Sequence, residues 1–161
     1  MYYIDQNMQQ TLIFALTIFL SIFIYFFSKR FLLAAIKRVI DRSPDNSMSK
    51  VFFEEKVFHY LNYLIPIPVL FAGGSYLFWN YQDHFEKVVL VYFATIFTFL
   101  LEKILSVLHS VYNQYDISKK RPIKTFIQVG KFLTYSIGIL FILSIIFNKS
   151  ILAFLSGLGA L

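Results

Sequence analysis

Thr11 to Phe27 reads TLIFALTIFLSIFIYFF and is followed at once by Ser28, Lys29 and Arg30. An apolar run of this kind near an N-terminus is either a cleavable leader or a retained membrane helix. A leader carries a basic segment in front and a small-residue cleavage site behind. Met1 to Gln10 contains Asp5 and neither Lys nor Arg, and the basic pair comes after the run instead. The stretch is therefore expected to be a retained first membrane helix whose C-terminal end lies inside.

Composition extends that reading to the whole chain. Of the 161 residues, 58% are hydrophobic, 20% aromatic and only 15% charged, against about 25% charged in soluble domains. A soluble fold could not hide so much apolar surface. The net charge of +6 does not point to nucleic acid, because the cations stand in short clusters beside apolar segments, as membrane topology signals do. No cysteine is present, which excludes disulfides, thiol catalysis and Cys-based metal sites.

From residue 11 the helix is expected to run on through the amphipathic Phe31 to Arg42, reaching roughly 45 Å against about 30 Å of hydrocarbon. Ser43-Pro44-Asp45-Asn46-Ser47 reads as a turn. A second helix over about 51–79 carries Pro66, Pro68, Gly73 and Gly74, a candidate kink. Tyr81 to Lys87 reads as a short polar connection, with Trp79 and Tyr81 at the membrane interface. Helices over about 88–112 and 122–147 follow, the latter opening on Pro122. Residues 1–150 thus form one transmembrane unit. Residues 151–161 are too short to span, about 16 Å of helix, and the reading takes them as the truncated start of a fifth segment. The expected fold class is an all-α membrane protein of four transmembrane helices plus that start.

Lys29, Arg30, Lys37, Arg38, Arg42, Lys50 and Lys56 lie between the first two segments, and Lys119, Lys120, Arg121, Lys124 and Lys131 around the connection from third to fourth. Only Lys87 and Lys149 fall on the other side. Cytoplasmic loops carry the cationic excess, so the N-terminus is expected outside.

Chemistry-bearing residues are sparse. Glu55 and His59 share a helical face, a spacing that suits an interfacial hydrogen bond more than a metal site. No catalytic, metal or cofactor site is expected. In the third segment Thr95, Thr98, Glu102, Ser106 and His109, continued by Asn113, recur every three or four residues and trace one polar stripe. A carboxylate at that depth needs a partner or water. Glu102 is either interhelical glue or part of an ion or proton path. Lys131, about 15 Å inward from its own helix end as Glu102 is from its, is the expected ion-pair partner. Lys103, on another face, is expected to snorkel toward the headgroups.

Arg121 to Lys131 (RPIKTFIQVGK), the fourth segment, Asn148-Lys149-Ser150 and Leu155 to Leu161 (LSGLGAL), together with Phe53 to His59 and Leu64-Ile65-Pro66, resemble the small-conductance mechanosensitive channel (MscS) family. They are most similar to its YbdG-like, miniconductance-type branch with five membrane helices per subunit. The resemblance covers most of the chain from about Val51 onward. It implies that residues 151–161 begin the pore-lining helix, with Ser156, Gly157, Gly159 and Ala160 as its small-residue start. It also implies homo-oligomers, heptamers among the best-known members, permeating ions, membrane lipids as surroundings and a place in the bacterial inner membrane. The function so implied is release of ions and small solutes under membrane tension in hypoosmotic stress. The rival reading is a polytopic anchor or adaptor using basic cytoplasmic loops toward partners or anionic lipid.

Overall fold

The computed structural model describes residues 2–42, 51–52, 54–77, 82–115, 118 and 123–159. Among them the regular structure is helical throughout: α1 (Tyr2–Arg42), α2 (Val57–Leu64), α3 (Ile67–Leu77), α4 (Gln82–Asn113), α5 (Lys124–Phe147) and α6 (Ile151–Gly159). Among the described residues four stretches are long and apolar enough to cross a membrane, namely Thr11–Leu32, Val57–Gly74, Asp83–Asn113 and Lys124–Phe147.

Several boundaries differ from expectation. α1 begins at Tyr2, because the leader before Thr11 holds neither Pro nor Gly to stop a helix. The second segment is divided by a turn at Ile65–Pro66, where the proline has no N–H to give and its ring crowds the preceding turn. The helix resumes with Leu70 N–H donating to the Pro66 carbonyl at 3.0 Å, and Pro68 sits in the first turn of α3. Gly73 and Gly74 lie inside α3. They are points of close approach, where an added Cβ would collide with Thr17 of α1 and Phe85 of α4 respectively. Gln82 to Lys87, read as a connection, forms the first turns of α4, with Asp83 where the helix dipole favours an acid. The turn at Ser43 to Ser47, Trp79, Tyr81, Pro122 and Ala160 lie outside the described residues.

Contacts fix the topology. Thr17 meets Gly73 while Tyr25 stacks on Tyr63, so α1 runs antiparallel to α2 and α3. Glu55 reaches Ser110, Tyr60 reaches Phe99 and Gly74 reaches Phe85, so α4 runs antiparallel to the same segment. Thr98 meets Gly138 and Leu105 meets Gly130, which makes α5 antiparallel to α4. The spans therefore alternate in direction. Lys29, Arg30, Lys56 and Lys124 gather at the end of the bundle where Glu55 meets Ser110.

Among the described residues the buried apolar side chains are Val51, Val57, Ile67, Val89, Ala94, Leu100 and Val107, of which Val51, Val57, Leu100 and Val107 form one cluster flanked by Phe52, Tyr60, Leu64 and Val111. Over an 18-residue apolar window of each span only 11%, 28%, 22% and 6% is buried. α1 and α5 expose Phe19, Phe31, Phe126 and Phe132 at roughly 70% or more, a surface suited to hydrocarbon rather than water. Asn148 ends α5 in the left-handed region (φ 52, ψ 36). That cap lets Lys149 N–H reach the Ser144 carbonyl at 3.2 Å and redirects the chain into α6.

Candidate functional site

Glu102 sits midway along the seam between α4 and α5, and only 7% of its surface is exposed. A carboxylate there is tolerable only with its charge matched and its lone pairs filled. Lys131 Nζ of α5 lies 2.6 Å from Glu102 Oε1. The same ammonium donates to Ser106 Oγ at 2.6 Å, and the Ser106 hydroxyl lies 3.0 Å from Glu102 Oε1, as its donor. Lys103 does not simply run out to the headgroups: its Nζ stands 3.3 Å from Glu102 Oε2. Each carboxylate oxygen thus faces an ammonium, and Ser106 closes a three-membered ring of donors and acceptors with Glu102 and Lys131.

Helix periodicity explains why these groups converge. Thr98, Glu102, Ser106 and Ser110 are four residues apart and form one ridge of α4. At Thr98 the ridge is low enough for Gly138 of α5 to pack against it; a Cβ at Gly138 would strike the threonine side chain. That close approach brings Lys131, two turns earlier in α5, within reach of Glu102. Thr95 and Thr98 spend their hydroxyls on their own helix, donating to the Val91 and Ala94 carbonyls at 2.7 Å. His109 is paired at Nε2 with Asn113 Nδ2 at 3.2 Å, while its buried Nδ1 has no partner among the described residues.

Beyond the stripe, Ser110 donates to Glu55 Oε1 at 2.9 Å. Glu55 therefore turns to α4 instead of to His59, whose ring packs edge-on against Tyr63 at 4.8 Å. The lead-in to α2, α4 and α5 are tied in sequence by two acids on adjoining helices. Sequence reading also passed over Asn62, 2% exposed, whose Nδ2 reaches the Tyr25 carbonyl at 3.5 Å and whose Oδ1 has no partner among the described residues. An amide inside an apolar segment was the available signal. Tyr92 adds a tie between α4 and α2, its hydroxyl donating to the Tyr63 carbonyl at 3.2 Å.

The other expected residues stand apart from this cluster. Pro66 lies in the turn between α2 and α3, and Pro68, Gly73 and Gly74 lie within α3. Ser156, Gly157 and Gly159 lie on α6, where Ser156 Oγ donates to the Ala153 carbonyl at 3.0 Å. A Cβ built on Gly157 meets nothing within 4 Å, and Leu152 and Leu155 are exposed. Among the described residues no three His, Asp or Glu side chains converge as a metal site would require. The arrangement at Glu102 is chemically a clamp, a desolvated charge cluster that fixes the axial position of α4 against α5.

No family model, no curated protein and no solved structure matches this chain.

Proposed function

We propose that this chain is the membrane-embedded, tension-sensing portion of a mechanosensitive ion channel of the small-conductance type, in a bacterial inner membrane with its N-terminus outside. On this reading copies assemble around an axis lined by α6 and release ions and small solutes when the bilayer is stretched.

The observation that carries the proposal is a contrast along the chain. α4 and α5 are pinned together by the Glu102 cluster, whereas on α6, among the described residues, a Cβ built on Gly157 meets nothing within 4 Å and Leu152 and Leu155 are exposed. Small residues at such a face allow close helix approach in a membrane, which a ring of like helices requires. The sparsely buried spans supply the lipid contact through which tension acts. Tension favours the state of larger membrane area, so a bundle with two packings of different area responds to it. The resemblance of residues 121–131, 148–150 and 155–161 to the approach and start of a pore helix gives the reading its direction.

Assembly is tested by single cysteines at Gly157 and, as a lipid-facing control, at Phe132, in a chain that has no native cysteine. Oxidation should link chains through position 157 and leave position 132 unlinked. Equal linkage at both positions, or none at 157, contradicts an axis lined by α6.

A further inference from the structure

Along α1 the residues Phe23, Phe26, Phe27, Lys29 and Arg30 border an open groove of about 480 Å³. It lies at the C-terminal end of the Thr11–Leu32 span. The three phenylalanines are each more than half exposed, and the Phe23 and Phe27 rings stack 6.3 Å apart at 14°, making a flat apolar wall. Lys29 and Arg30, both exposed, cap that wall at one end. Unlike Lys103 and Lys131, which are committed to Glu102, neither has a carboxylate partner among the described residues.

We infer that this groove is a binding site for a phospholipid of net negative headgroup charge. Seven residues of helix separate Arg30 from Phe23, roughly 10 Å, within the ~15 Å depth of one hydrocarbon leaflet. A phosphate held by Arg30 and Lys29 therefore leaves an acyl chain alongside Phe27, Phe26 and Phe23. Guanidinium can take two phosphate oxygens through paired N–H groups, and the lysine adds a second positive charge. The aromatic wall would accept the tail of any phospholipid. The two unpaired cations select the headgroup, because a zwitterionic lipid brings its own ammonium to the same place. The inference rests on the membrane placement of α1 and is independent of conduction.

The full chain, purified and delipidated in an uncharged maltoside detergent, is titrated with phosphatidylglycerol or with phosphatidylcholine of identical acyl chains, and adducts are counted by native mass spectrometry. Phosphatidylglycerol should bind at lower concentration than phosphatidylcholine. The double variant Lys29→Gln/Arg30→Gln should weaken phosphatidylglycerol binding by about ten- to thirtyfold, as expected for two interfacial cations, and leave phosphatidylcholine binding unchanged. The charge-preserving variant Lys29→Arg/Arg30→Lys should retain most of the affinity, and Lys124→Gln/Lys149→Gln should have no effect. Equal binding of the two lipids, wild-type binding by the neutralised variant, or an equal loss in the Lys124/Lys149 control overturns the site. So does full displacement by excess glycerol phosphate, which would mean that the cations hold a phosphate without using the groove. A chain–chain complex abolished by neutralisation while lipid binding persists would assign the groove to a protein and refute the lipid.

Discussion

Removing Glu102 should cost more than removing Lys131, although the two side chains share one contact. Glu102→Gln leaves Lys131 and Lys103 facing each other with no anion between them, and the Nζ of Lys131 loses the 2.6 Å carboxylate contact. Breaking a buried pair from one side costs about 3–5 kcal/mol. The Lys131 side chain is 31% exposed, so the lower end, ~3 kcal/mol, applies. Lys131→Gln leaves Glu102 with Lys103 at 3.3 Å and the Ser106 hydroxyl at 3.0 Å, a partial replacement that should hold the loss to about 1.5 kcal/mol. In Glu102→Gln/Lys131→Gln the two amides can bond to each other and Lys103 is free to extend, so the loss should stay near ~3 kcal/mol, a coupling of about 1.5 kcal/mol. The assay is reversible unfolding of the purified chain in mixed detergent micelles, followed by far-ultraviolet circular dichroism. Additivity within about 0.5 kcal/mol, or a larger loss from Lys131→Gln than from Glu102→Gln, would refute the clamp.

Three further expectations follow from packing and topology. Gly138→Ala should destabilise the chain by about 1–3 kcal/mol in the same assay, because Thr98 is held by its bond to the Ala94 carbonyl and cannot swing away; Gly138→Ala in a Thr98→Ala background should recover most of the loss. Asn62→Leu should be neutral or stabilising by up to ~1 kcal/mol, since among the described residues the buried amide forms one long bond and leaves Oδ1 unpaired; a loss above that size would show that the amide is satisfied by a group such as water. A cysteine at Asp83 should react with an impermeant thiol reagent in intact cells and one at Ser118 should not, and the opposite pattern would invert the orientation.

The features legible in the sequence were those governed by local period and charge. Long apolar runs separated by polar or basic stretches are enough to define four helices that could span, and the three- or four-residue recurrence of Thr98, Glu102 and Ser106 is enough to place them on one ridge. Equal depth in antiparallel helices puts Glu102 and Lys131 opposite each other, and their side chains meet at 2.6 Å. Features that depend on tertiary packing were not legible. The Gly73-Gly74 pair reads from the sequence, with Pro66 and Pro68, as a candidate kink, and its close approach to Thr17 and Phe85 depends on residues distant in the chain. Glu55 had a neighbour of the right kind one helical turn away in His59, yet its partner is Ser110, 55 residues along the chain. Lys103 reads as a snorkelling side chain until the position of Glu102 Oε2 is known. Helix ends were misread at Tyr2 and Gln82, where polar sequence without Pro or Gly is as compatible with helix as with loop.

Response to membrane tension is the central claim, and patch recording tests it most directly. The gene, expressed from its own start to its own stop codon in cells lacking other stretch-activated conductances, should give uniform currents that appear as suction on the patch increases and vanish on its release. On the proposed function, Glu102→Gln should shift the pressure of half-activation, because it removes the α4–α5 ion pair that holds the closed packing. Patches that contain the protein and stay silent up to lytic tension, or that carry currents indifferent to pressure, would contradict the account.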